Sequence, residues 1–497
     1  MNTQKTRRTL SAIAAVAVGA VLALGAGSTA SAVSASTIDP SQTGTISIHK
    51  FKKPTTATGL PNDGRELSAS DTASLEPLPG VTFSVQQIDP TVYNLTTNEG
   101  WTALKALTPN AAATAVKGHT TSITTIANGD AIATNLPLGV YLVTETVVPA
   151  GTTAGAPFLI TVPMTDPIDS NTWMYNVHVY PKNAVINPGE KTVDDSTSLK
   201  VGDDVTWTIT GEIPNVDVLD GYRIVDPLDA RLTYKSTAVT LTNGTELLLG
   251  TDYTIATVPP ASGAGTKVTV DFTEAGRIKL VANKTASVQI AIVTTINTVG
   301  DIPNQALIYP NEASFDIEPG EPGGPTPTEE PIVKYGNVTI SKVSAADNSV
   351  TLAGATFQVF ATENDARNGT NAITVEGVSS WTTGTNGQVT IPGLRQSAWY
   401  DNQVVTPSDT GFQYYWIAET KAPSGYELLA QPVRVTVGEN DTIVDFTVEN
   451  SPANGGFELP FTGSALSASL FYGGGAIVLL GAAVLAMRAR RRVTELA

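Results

Sequence analysis

The sequence predicts an all-β chain of sandwich domains in tandem, flanked by an apolar segment at each end, and three observations predict it. Turn formers are abundant, with 43 Gly and 31 Pro among 497 residues, which favours many short strands. Runs such as Asp204-Val205-Thr206-Trp207-Thr208-Ile209-Thr210 and Val433-Arg434-Val435-Thr436-Val437 alternate apolar and polar side chains, the period of a half-buried strand in a sandwich. Several sequence blocks also occur twice in the same order, so one type of domain recurs.

The chain opens with Lys5, Arg7 and Arg8, runs uncharged from Ile13 to Ala26, and closes on the small residues Ala30-Ser31-Ala32. This reads as a signal peptide over residues 1–32, cleaved after Ala32, in preference to a membrane anchor, for which the run is short. The mature chain is then secreted. Such proteins often rely on disulfides, but there is no cysteine, so any covalent staple must be of another kind. A formal charge of −17 argues against nucleic acid as a partner, because phosphates require a basic surface.

At the other end, residues 466–487 carry no charge. About 22 residues at ~1.5 Å each suffice for the ~30 Å hydrocarbon core. Arg488, Arg490, Arg491 and Arg492 follow, and by the positive-inside rule they stay cytoplasmic, leaving the rest of the mature chain outside. A plain single-pass anchor would look the same. Just ahead stands Leu459-Pro460-Phe461-Thr462-Gly463, which resembles the Leu-Pro-x-Thr-Gly sorting signal of sortase substrates. The resemblance implies cleavage between Thr462 and Gly463 by a cysteine transpeptidase, which holds the Thr462 carbonyl as a thioester until an amine attacks. Residues 459–497 are then a cell-wall sorting signal.

Between the ends, the acidic, Pro-rich stretch 318–331 reads as a linker. The repeat divides the rest. Gly44-Thr45-Ile46-Ser47-Ile48-His49-Lys50 is similar to Gly336-Asn337-Val338-Thr339-Ile340-Ser341-Lys342, and Gly80-Val81-Thr82-Phe83 is similar to Gly354-Ala355-Thr356-Phe357. A third pair sets Tyr141 to Thr146 beside Tyr415 to Thr420, and the separations 145 − 80 and 419 − 354 are both 65. The expected domains are therefore 33–184, a different middle domain at 185–317, and 332–453.

The recurring Lys, Glu and last-strand Asn resemble the self-crosslinking B-type immunoglobulin-like domains of collagen adhesins and Gram-positive pilins. The resemblance implies an isopeptide bond between first-strand lysine and last-strand asparagine, promoted by a buried acid, with ammonia leaving. An apolar surrounding favours the neutral amine and the protonated carboxyl that such a reaction needs. The residues implied are Lys342 and Asn450 with Glu419 in the third domain, and Lys50 and Asn183 with Glu145 in the first, where Lys52 and Lys53 lie close by. The middle domain, with Lys191-Thr192-Val193, Val225-Asp226-Pro227 and Pro303-Asn304, resembles the A-type, which implies Lys191 and Asn304 with Asp226; Asn311 is a rival acceptor. The fold class is thus B-type, A-type and B-type immunoglobulin-like sandwiches in an elongated rod, with a signal peptide and a transmembrane sorting helix.

Upstream of the middle domain, Trp173-Met174-Tyr175-Asn176-Val177-His178-Val179-Tyr180-Pro181-Lys182 resembles the pilin motif Trp-x-x-x-Val-x-Val-Tyr-Pro-Lys. The resemblance, which covers nearly the full chain, identifies it as a shaft subunit of sortase-built actinobacterial fimbriae. It implies that Lys182 of one subunit attacks the thioester formed on Thr462 of another. Implied partners are pilus-specific and housekeeping sortases, other copies of the chain, a tip or base pilin, peptidoglycan, and an unknown host or bacterial receptor. The implied location is a wall-anchored fimbrium on the cell surface.

No cofactor, metal or enzymatic activity is expected beyond the one-time crosslinking. The three histidines His49, His119 and His178, the lack of cysteine and the lack of a Gly-x-Ser-x-Gly elbow give a hydrolytic triad no footing. His49 and His178 fall on expected strands and read as packing residues. A monomeric wall-anchored adhesin is the competing reading; it would share the signals and domains but would not need Lys182.

Overall fold

The computed structural model describes residues 37–259, 264–438 and 444–453. The signal peptide and the sorting segment with Thr462 lie outside the described residues.

The first sandwich is built around Thr43–His49, where alternation buries Ile46 and Ile48 in the core and turns Ser47 and His49 to the opposite face. Each aliphatic side chain so buried contributes about 1.5–3 kcal/mol. This strand pairs parallel with Asn176–Val179 and antiparallel with Asp130–Pro137. The facing sheet runs in the order Val116–Thr124, Thr82–Ile88, Gly139–Val147, Phe158–Val162. Two short helices, Asn98–Leu104 and Pro109–Ala113, each start at a threonine cap. Ala112 of the second helix joins Ile88, Leu95, Val140 and Leu142 in a separate small core.

The third sandwich repeats this plan. Ile332–Ser344 pairs parallel with the last strand, Val444–Asn450, and antiparallel with Gln388–Arg395. The facing sheets agree in detail: Phe83 lies opposite Glu145, Phe357 lies opposite Glu419, and both ladders shift register just before the phenylalanine. The middle sandwich differs. One of its sheets is ordered Glu190–Asp194, Asp204–Glu212, Ser287–Ile296, Leu232–Leu241. Trp207 fills its core and donates Nε1–H to Thr294 Oγ1 at 2.9 Å.

The stretch 318–331 departs from the linker reading. Thr326–Pro327 adds a strand to the middle domain's second sheet beside Leu307–Tyr309, and Gly323, Gly324, Pro325, Thr326 and Thr328 are buried. Proline at a sheet edge needs no ladder donor, so a Pro-rich segment fits there. The following strand then serves two domains, because the first half of Ile332–Ser344 pairs with Gly300–Pro303 of the middle domain. The second and third domains also share one apolar cluster. Polar contacts tie them further: Val201 N donates to Gly393 O at 2.7 Å, and Tyr415 Oη donates to Leu199 O at 2.9 Å.

Candidate functional site

Three buried lysines, one per domain, belong to the expected sets of lysine, acid and asparagine, and in two of the sets the acid meets both partners. In the first domain, Lys50 N donates to Gly129 O at 2.8 Å, where the sheet ends. Gly129 holds φ at +83°, and a Cβ there would collide with the Lys50 carbonyl, so the turn requires glycine. The Lys50 side chain enters the core, 5.7 Å above the Phe83 ring, and is 0% exposed. Its Nζ contacts Glu145 Oε1 and lies 2.5 Å from Asn183 Oδ1. Asn183 Nδ2 donates to Glu145 Oε2 at 2.6 Å, and Gly155 N steadies the same oxygen at 2.9 Å. Glu145 thus bridges the Lys50 amine and the Asn183 amide nitrogen with its two oxygens. Lys52 pairs with Glu76 and Lys53 with Asp217, which leaves Lys50 alone at the asparagine.

In the middle domain, Lys191 Nζ donates to Asp226 Oδ2 at 2.8 Å, and Asn304 Nδ2 approaches the same oxygen at 3.3 Å. All three residues are buried, and the amine lies 5.6 Å above the Trp207 ring. Among the described residues, Asp226 Oδ1 and Asn304 Oδ1 have no hydrogen-bond partner. Burial pushes the Asp226 carboxyl up and the Lys191 amine down, favouring a neutral acid and a neutral amine. The rival Asn311 points elsewhere: its Nδ2 donates to Thr153 Oγ1 at 3.2 Å, across the junction with the first domain.

In the third domain, Glu419 Oε1 and Oε2 accept from Asn450 Nδ2 at 2.9 and 2.8 Å, but Lys342 stands apart. Its Nζ donates to the carbonyls of Val448 at 2.8 Å and Val343 at 3.2 Å. Burial pushes the amine down to about 8. The sequence grouped these three residues; the structure brings acid and amide together and leaves the amine two residues short along the paired strand.

Burial also lowers the amines of Lys50 and of Lys182. Lys182 lies on the short strand Lys182–Asn183, parallel to Phe51–Lys52, and is half-buried. Its Nζ donates to Tyr180 O at 3.1 Å. Beside it runs a groove of about 500 Å3, lined by Val177, Val179 and Pro181 together with Phe158, Ile160 and Met164. A further cluster was illegible in the sequence, because its members lie far apart in the chain. His49 Nε2 and His178 Nδ1 are 3.0 Å apart, and His49 Nδ1 is 2.6 Å from Asp130 Oδ1. Strand register alone joins them.

The three domains match three family descriptions. Residues 41–184 match the Gram-positive pilin subunit D1, N-terminal domain; residues 187–310 match the Sgo0707 N2 domain; residues 336–452 match a prealbumin-like fold domain. The chain is 34% identical to the fimbrial subunit type 1 of Actinomyces viscosus, covering 93% of each chain. It is 31% identical to the fimbrial subunit type 2 of Actinomyces naeslundii, covering 90% of each. Among solved structures, the full-length major pilin SpaD of Corynebacterium diphtheriae superposes with a TM-score of 0.66 at 26% identity, over 84% of this chain and 99% of that one. The fimbrial protein FimP of Actinomyces oris gives 0.53 at 31% identity, over 84% and 100%. With tandem sandwich domains that match pilin family descriptions and relatives along nearly its whole length, the chain belongs to the Gram-positive fimbrial pilins, as a structural rather than enzymatic subunit of the pilus shaft at the cell surface.

Proposed function

We propose that the shaft is covalent: a pilus sortase cleaves Thr462–Gly463 and passes the Thr462 carbonyl to Lys182 Nζ of the next subunit, and a housekeeping sortase attaches the finished fibre to peptidoglycan. The observation that carries this reading is the setting of Lys182. Its amine is partly desolvated, which favours the neutral nucleophile, and it directly follows Tyr180 and Pro181, which line an apolar groove. The groove offers Leu459 and Phe461, just ahead of the reacting Thr462, a surface to lie on.

Within each subunit, Lys50–Asn183, Lys191–Asn304 and Lys342–Asn450 form isopeptide bonds. Nζ attacks the asparagine Cγ, the acid carries a proton from the amine to Nδ2, and ammonia departs. The first domain's geometry supports this most directly, since one carboxylate already touches both nitrogens. The domain organisation 33–184, 185–317 and 332–453 accompanies this reading, as does an unidentified receptor reached by the fibre.

An immunoblot of boiled, denatured wall extracts from wild-type and Lys182→Ala cells tests it. A ladder of covalent multimers that collapses to monomer in the variant is the expected result. A wild type that yields monomer alone would instead make the chain a wall-anchored adhesin, and a ladder surviving in the variant would move the joint to another lysine.

A further inference from the structure

The first and third domains carry the same loop at one end, and a neighbouring domain covers it in the first alone. Ten residues beyond each acid, the backbone N–H of Gly155 or Leu429 donates to the acid's Oε2 at 2.9 Å. The loop leading there is stitched to the end of the last strand by matching bonds. In the first domain Thr153 N donates to Ala184 O at 2.9 Å and Ile186 N to Gly151 O at 3.0 Å. In the third, Glu427 N donates to Ser451 O at 2.9 Å and Ala453 N to Gly425 O at 2.8 Å. Gly151 and Gly425 hold φ at +72° and +84°, so the two turns share one backbone shape.

In the first domain this loop is where the middle domain packs. Gly151 N donates to Gly324 O at 3.2 Å, and Asn311 Nδ2 approaches Thr152 O at 3.4 Å and Thr153 Oγ1 at 3.2 Å. A Cβ on Gly151 would lie 2.9 Å from Ile186 O and 3.5 Å from Thr326 Cβ, and Gly151 and Thr152 are both buried. In the third domain the corresponding backbone groups, the Gly425 N–H and the Tyr426 carbonyl, have no hydrogen-bond partner among the described residues. A Cβ on Gly425 would meet nothing within 4 Å, and Leu428 beside it is 53% exposed. A free donor, a free acceptor and an exposed leucine thus stand where the first domain holds its neighbour.

We propose that this end of the third domain receives a second copy of the chain in the fibre: the first domain of the following subunit packs on Gly425, Tyr426 and Leu428 as the middle domain packs on Gly151 and Thr152. This rests on the reading that Thr462 is joined to Lys182 of that subunit. Thr462 follows Ala453 by nine residues, which at ~3.3–3.6 Å each reach no more than about 30 Å, so the joint keeps the two copies together. A tether that short gives the neighbouring surface an effective concentration of roughly millimolar, enough to fill a contact too weak to form between free monomers. The second copy offers a carbonyl to the Gly425 N–H, an N–H to the Tyr426 carbonyl and an apolar side chain to Leu428.

Hydrogen exchange read by mass spectrometry compares peptides covering 422–429 in purified monomer and in sortase-assembled multimers. The Gly425 and Leu428 amides should exchange about tenfold more slowly in multimers, while peptides covering 149–155, already packed against the middle domain, should not change. Equal exchange at 422–429 in both forms would overturn the proposal. So would slow exchange in both, which would mean that the chain's own residues 454–461 cover the loop. Joining probes the same surface from the donor side. A donor bearing Lys182→Ala, with and without L428D, is joined by the purified pilus sortase to an acceptor bearing Thr462→Ala and, in parallel, to hydroxylamine. L428D should slow joining to the acceptor about fivefold and leave the reaction with hydroxylamine as it was, because a small amine needs no docking. An unchanged rate with the acceptor would refute the docking role; if L428D slows both reactions, exchange in the unaltered chain decides. Failure of the unaltered donor and acceptor to join would instead sink the reading of Lys182.

Discussion

Lys182 and Asn183 are consecutive residues of one two-residue strand, yet their side chains serve different partners. The Lys182 amine reaches back to the Tyr180 carbonyl at 3.1 Å, whereas Asn183 Oδ1 lies buried 2.5 Å from Lys50 Nζ. A bond from Lys50 to Asn183 would tie the backbone of Lys182, the proposed polymerising lysine, to the first strand of its domain.

Asn183→Ala should abolish the loss of one ammonia in the intact mass of peptides spanning the first domain. The bond would close a loop with a sequence separation of 133 residues, so its absence should cost about 5 kcal/mol of stability to denaturant. The ladder on a denaturing gel should weaken as well, because the strand bearing Lys182 loses its tether. A full ladder together with a destabilised domain would separate the two roles.

The middle domain contains two candidate asparagines, and the structure distinguishes them. Asn304→Ala should leave Lys191 uncrosslinked by peptide mass mapping. Asn311→Ala should keep the crosslink and lower stability by about 1 kcal/mol, because Asn311 caps the 3-10 turn Glu312–Asp316 and reaches the first domain. Asp226→Ala should match Asn304→Ala, since that carboxyl meets both nitrogens.

Bond formation at Lys342 should depend on pH. Only the neutral amine attacks, and with the amine at about 8 its neutral fraction rises through that value. The rate in freshly refolded chain, followed by mass spectrometry, should climb about tenfold per unit below pH 7 and level off above pH 9. A flat profile would show that another step, such as the swing of Lys342 from the Val448 carbonyl to Asn450, limits the reaction.

Between the second and third domains, Asp195 and Asp401 each accept the other's backbone N–H on Oδ1 at 3.0 Å. Burial raises Asp195 to about 6, with Arg395 4.0 Å away as a partial counterweight. A raised carboxyl favours the protonated folded form, so its stabilisation is complete below the ordinary carboxyl range and is lost as pH rises through about 6. Thermal unfolding of this two-domain unit should show a higher melting temperature at pH 5 than at pH 7.5 relative to Asp195→Asn. Equal pH responses in both proteins would refute the assignment.

The strings that read as signals for export, sorting and polymerisation are each contiguous, so the sequence alone displays them. The B-type repeat was legible because strand alternation and an equal spacing survive in both copies, down to Phe83 facing Glu145 and Phe357 facing Glu419. Tertiary structure decided what depends on two distant strands meeting. It drew Asn304 rather than Asn311 to Asp226, left Lys342 short of Asn450, and folded part of the Pro-rich stretch into a sheet edge. It also joined His49 to His178, 129 residues apart, through strand register. Local patterning sets which face a residue occupies, but the partner across the sheet is chosen by packing of the whole domain, which no short window of sequence contains.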